Sequence, residues 1–76
     1  MKTQSLLILD GDWKEVGECN YKFIAVKLSN IEFVLFSEWD ETIVVLKSGT
    51  KYMKHGEDKS EYFRIIQLWE DYLSNS

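Results

Sequence analysis

The chain has no proline, one cysteine, one histidine and only four glycines, and each shortage closes off a class of structure or chemistry. Without proline and with little glycine, most of the backbone is free to enter regular hydrogen-bonded structure, and no stretch reads as a linker or a low-complexity segment. Cys19 stands alone, so no disulfide can close within the chain and no thiolate zinc site can be assembled from it. His55 stands alone too, so any catalytic triad or histidine metal cluster would have to be built around it. Its neighbours Lys54, Gly56, Glu57 and Asp58 describe a solvated loop instead. A Cys19 and His55 dyad would join residues far apart in sequence, and cysteine commonly serves as a small hydrophobe.

Long apolar runs are also missing. Leu6 to Leu9 and Ile43 to Leu46 fall far short of the roughly 20 residues that a membrane span requires. The run after Lys2 is too short for a secretory signal, so the expectation is a cytoplasmic protein with no membrane partner. Basic residues are the minority: nine against thirteen acids, a formal charge of −4. That balance disfavours direct nucleic-acid binding. The acidity belongs to residues 1–41, with eight acids and four bases, while residues 42–76 hold five of each.

What is present is a large apolar fraction, 45% of 76 residues, enough for a fold and well clear of the disordered class. A chain of this length buries only roughly 60% of its unfolded surface and has one core, so residues 1–76 form one domain.

The pattern predicts an α+β domain: an antiparallel β-meander of five to six strands over about residues 4–54, and one C-terminal helix over about 59–73 packed on the sheet. Gln4 to Leu9 reads as a strand ending at a turn, Asp10-Gly11-Asp12, where glycine permits positive φ. Asp12 to Glu18 follows as a second strand, although Trp13 to Gly17 could equally form a helical turn. Tyr21 to Leu28 and Ile31 to Phe36 read as a hairpin about Ser29-Asn30. Both carry apolar groups on alternate faces, which predicts central strands covered on both sides. Thr42 to Lys47 and Thr50 to Lys54 flank the Ser48-Gly49 turn signal. Asp58 and Glu61 have capping-box spacing ahead of a helix whose Tyr62, Ile65, Ile66, Trp69, Tyr72 and Leu73 share one face. Phe63 projects away from that face.

No catalytic residue set and no cofactor or metal site follows from these residues. Asp10 and Asp12 have the spacing by which some phosphoryl-transfer sites hold magnesium, so a metal-dependent hydrolase is one reading. The same residues are what a turn selects for backbone reasons. Glu38-Trp39-Asp40-Glu41 is more informative. A tryptophan in a polar turn either folds back over the open end of the sheet or projects, and projecting aromatics amid charge are what interfaces use. If every connection is a hairpin, Glu18, Glu38, Asp40 and Glu41 gather at one end, while Asp10 and Asp12 share the other with Lys47 and Lys51.

The preferred expectation is therefore a small acidic inhibitor, a non-enzymatic protein that occludes a basic, nucleic-acid- or nucleotide-binding surface of a partner protein. Immunity proteins, antitoxins and phage-encoded inhibitors of host defence are of that type. Its contact residues would be Glu18, Glu38, Trp39, Asp40 and Glu41. A second expectation comes from the eleven aromatic residues. It is a homo-oligomer that sequesters a small ligand in an aromatic-lined interface, with Phe63, Leu68 and Tyr72 as the self-complementary helix face.

Overall fold

The computed structural model describes residues 5–17 and 19–75. Five strands, β1 (Leu6–Glu15), β2 (Asn20–Lys27), β3 (Ile31–Phe36), β4 (Glu41–Leu46) and β5 (Lys51–His55), precede one helix, α1 (Ser60–Ser74). They form a single antiparallel sheet in the order β2-β1-β5-β4-β3, and α1 packs on it, an α+β fold.

The first departure from expectation is at Asp10-Gly11-Asp12, which is not a turn. The chain runs straight through it as one ten-residue strand. Asp10 pairs with Phe23 and Trp13 with Tyr21, three steps on β1 against two on β2, so one residue is extra. Gly11 absorbs it at φ +93°, a β-bulge with glycine in the left-handed region. The Trp13 indole N–H donates to the Asp10 carbonyl at 3.0 Å and holds the bend closed. A bulge and a tight turn demand the same residues, which is why the motif reads as either.

The second departure is the expected hairpin of residues 21–28 with 31–36. These segments do not pair; they are the two edges of the sheet. A single turn of 3-10 helix, Leu28–Asn30, joins them. Four strand intervals span ~19 Å in a flat sheet, whereas three 3-10 residues advance only ~6 Å. The connection therefore forces the sheet to curl until its edges approach. Leu28, fully buried, anchors the junction. Its N–H donates to Ser5 O at 3.0 Å, and the Lys47 N–H donates to Asn30 O at 2.8 Å.

The interior of the curl holds Leu7, Leu9, Trp13, Val26, Leu28, Ile31 and Val44, and Ile65 of α1 plugs it. Each such side chain contributes on the order of 1.5–3 kcal/mol by leaving water. Leu68, Trp69 and Tyr72 pack against the same cluster, and the Arg64 guanidinium ties the helix to β1 by donating to Ile8 O at 3.1 Å. Leu73, expected on the packing face, is exposed, and Phe63 is 60% exposed. The expected capping box does not form; Asp58 makes an Asx turn ahead of the helix, and Lys59 is the N-cap with no side-chain cap bond. The Asp58 carboxylate accepts from the Ser60 N–H at 2.9 Å, but Glu61 turns to Arg64.

β2 and β3 are covered on one face only, contrary to the expectation of two. With α1 inside the curl, the outward side chains Phe23 (74% exposed) and Phe33 have none of the described elements over them. Of the described residues, no helix is long and apolar enough to cross a membrane.

Candidate docking surface at the β3–β4 turn

Ser37 to Asp40 connect β3 to β4. The Asp40 N–H donates to Ser37 O at 3.2 Å and the Ser37 N–H donates to Glu41 O at 2.8 Å. Asp40 itself lies at φ +58°. An i→i+3 bond followed by a left-handed residue is a common build for a hairpin loop of this length, and aspartate tolerates the left-handed position better than most residues. The Ser37 hydroxyl accepts from the Trp39 N–H at 3.2 Å and also lies 3.4 Å from Glu41 Oε1, to which it donates. From the neighbouring strand end, the Gly56 N–H donates to Asp40 O at 2.8 Å. The loop is thus pinned from within and from β5.

At its tip the Trp39 side chain projects, 70% exposed. Of the two outcomes open to a tryptophan in this turn, folding back over the sheet is not the one adopted. Glu38 is exposed beside it, and Asp40 and Glu41 are half-buried. None of the three is in an ion pair; among the described residues the ion pair is Arg64 with Glu61.

The expected sorting of charge between the two ends of the sheet does not hold. Glu18 lies outside the described residues. Its near neighbour Val16 donates its N–H to Lys51 O at 2.9 Å, so the β1–β2 connection sits at the lysine end. Asp12 moves the other way. Because β1 is continuous, Asp12 comes beside His55, and the two line one shallow depression with Glu41, Lys14, Asn20 and Met53. The acids of the Trp39 end are therefore Asp12, Glu38, Asp40 and Glu41, and its bases are Lys14 in the depression, Lys54 opposite Thr42 and Lys59 over the Phe36 ring. Sequence reasoning missed Asp12 because the bulge was read as a turn, which reverses the direction of everything after it. The available signal was Trp13: counted outward from a buried indole, Asp12 and Lys14 fall on the opposite face.

The other expected sites fare as follows. Asp10 and Asp12 flank the bulge, and among the described residues no group of three or more His, Cys, Asp or Glu is placed to hold a metal. Cys19 and His55 are not brought together. Cys19 O accepts from the Glu15 N–H, and Glu15 pairs with Tyr52, three residues or about 10 Å along β5 from His55. Leu68 and Tyr72 are turned into the core, while Phe63 points away and stacks edge-on with Tyr62 at 5.4 Å between ring centres. The three do not make one helix face. Around the Cys19 loop, the Tyr21 hydroxyl donates to Glu15 at 3.0 Å. Its phenol is held well above the ordinary tyrosine value by hydrogen bonding to Cys19 and then to Glu15. Burial, and then Glu15, raise Tyr52 as well.

No protein-family model matches this chain, and no curated protein or solved structure matches it significantly.

Proposed function

We propose that this chain is a small protein-binding domain that docks its Trp39 end on a basic surface of a partner protein and works by occlusion, with no chemistry of its own. An inhibitor of a nucleic-acid- or nucleotide-binding protein, an immunity protein or an anti-defence protein of a mobile element acts in this way. The observation that carries the reading is Trp39, 70% exposed at the tip of a hydrogen-bonded loop and surrounded by carboxylates that have no ion-pair partner among the described residues.

The physical advantage is preorganisation. Exposing an indole costs apolar hydration, and a loop fixed by five hydrogen bonds loses little further entropy when it is covered. Aromatic anchors of this kind are typical hot spots, with truncation costs of about 2 kcal/mol or more. The unpaired carboxylates add long-range attraction towards a basic partner and repel nucleic acid itself. They imitate the charge of a phosphate backbone on a rigid support.

The reading is tested by affinity capture from the native source with wild-type protein and with Trp39→Ala as matched baits. A partner with a basic surface, retained by the first and lost by the second, is the expected result. Equal retention by both baits contradicts it.

A further inference from the structure

Among the described residues Thr42 is the one buried polar side chain, 3% exposed, and its hydroxyl has no hydrogen-bond partner among them. Nor is the hydroxyl sealed in. No wholly enclosed side-chain oxygen or nitrogen of the described residues lacks a partner, so the little exposure that Thr42 keeps lies at its hydroxyl. Alternation along β4 puts Thr42 on the face of Val44, the concave side on which α1 packs. There it lines a cavity of about 200 Å³ between β4, β5 and the N-terminal end of α1.

Strand pairing fixes the walls. Lys54 stands opposite Thr42 on β5, and Phe36 stands opposite it on β3. The Phe36 ring meets Tyr62 edge-on at 6.1 Å and has Lys59 over it at 5.5 Å, which sets the first turn of α1 beside Thr42. Ser60 and Glu61 of that turn line the cavity. Helical bonding starts where the Phe63 N–H donates to Lys59 O at 3.0 Å, and Asp58 takes the Ser60 N–H. The N–H groups of Glu61 and Tyr62 therefore form the open, positive end of the helix. The Lys54 ammonium adds a full charge whose partner is a neutral carbonyl, Asp10 O at 3.3 Å. Both carboxylates in the lining are engaged, Asp58 by the Ser60 N–H at 2.9 Å and Glu61 by Arg64.

We propose that this cavity binds a small monocarboxylate, held by the Thr42 hydroxyl, the Lys54 ammonium and the first-turn N–H groups of α1. A buried hydroxyl without a partner costs stability, and folds leave few of them; a bound carboxylate oxygen satisfies this one. The cavity is smaller than the roughly 300–1,000 Å³ of drug-sized sites, so the ligand is a small organic acid. Charge selects its class. Lys54 and, over Phe36, Lys59 offset one negative charge beside Asp58, whereas a phosphate dianion would be left partly uncompensated there. A cation would face Lys54 and the positive end of α1. The site stands independently of the docking function proposed above, although Gly56 joins the two by lining the cavity and donating its N–H to Asp40 O at 2.8 Å.

The test is a nuclear magnetic resonance titration of the whole chain with sodium propionate, inorganic phosphate and propylammonium chloride, at constant ionic strength. Propionate is expected to shift the backbone amides of Thr42, Gly56, Glu61 and Tyr62 along a saturable curve in the millimolar range. Phosphate and propylammonium should bind at least about tenfold more weakly. Thr42→Val keeps the shape and removes the hydroxyl, and should weaken propionate by about tenfold without lowering the melting temperature. Lys54→Met keeps the stem and removes the charge, and should weaken it by a similar factor; Lys54 is partly exposed, so this variant keeps the fold even if the first does not. The inference is overturned by shifts that do not saturate or that centre elsewhere, by phosphate or propylammonium binding as tightly as propionate, or by wild-type affinity in either variant. A lower melting temperature in Thr42→Val also overturns it, because the hydroxyl then has a partner within the fold.

Discussion

Glu41 and His55 stand directly opposite each other on β4 and β5, and Asp12 of β1 lines the same depression. Asp12, from a distant part of the sequence, thus extends the acidic end beyond the Trp39 loop. Asp12→Lys should therefore slow association with the partner and weaken it about threefold, with little effect on melting temperature, since Asp12 is exposed. Surface-plasmon association rates at low and moderate salt check this.

The three tryptophans differ in environment, and their fluorescence should separate. Trp39 is open, Trp69 is half-buried and Trp13 is fully buried. Trp39→Phe should remove most of the emission that acrylamide quenches readily and change stability by less than about 0.5 kcal/mol. Retained quenching in that variant shows the indole to be covered.

Trp13 is the largest fully buried side chain, and its N–H serves the bulge. Trp13→Ala should cost about 3–5 kcal/mol, a large share of the stability of so small a domain, and leave the chain largely unfolded. Trp13→Phe removes the donor to Asp10 O, where Lys54 Nζ at 3.3 Å remains, and should cost less. Urea unfolding followed by circular dichroism ranks the two.

Gly11→Ala tests the bulge itself. An added Cβ would lie 2.7 Å from Lys54 Nζ, the far end of a side chain that can swing away. The cost is therefore set by φ +93°, about 1–2 kcal/mol. A stabilised variant contradicts the left-handed bulge.

Alkaline pH gives a further check. Tyr21 and Tyr52, whose rings meet edge-on at 6.3 Å, both hold their protons more tightly than a free phenol. The folded state then binds more protons than the unfolded state above the ordinary tyrosine value of 10.0. This contribution to stability is fully present below that value and is lost as pH rises through the folded values. Ultraviolet tyrosinate titration should show two late-ionising phenols, and Glu15→Gln should bring both down.

How far the fold could be read in advance follows from what each signal depends on. The helix was legible because Ile65, Trp69 and Tyr72 repeat at helical spacing, and the β4–β5 turn because Ser48-Gly49 has no other use. The strand order was not legible. Leu28-Ser29-Asn30 supports a hairpin or a corner equally well, and the choice depends on β1 reaching β5, a contact between residues far apart in sequence. Apolar residues on both faces of residues 21–36 were visible, but periodicity does not say whether a helix, a second sheet or another protein covers the second face. The exposed Trp39 was legible as a possibility of its turn, whereas Asp12 depended on recognising the bulge.

The most direct test of the account is the salt dependence of partner affinity for a charge-altered loop. Glu38→Lys, Asp40→Asn and Glu41→Gln combined remove the acidity while keeping a residue that tolerates the left-handed position at 40. The folded variant should bind the captured partner at least about tenfold more weakly at low salt and lose affinity less steeply as salt rises. Wild-type affinity and an unchanged salt slope in that variant would contradict the claim that this end of the molecule is its docking surface.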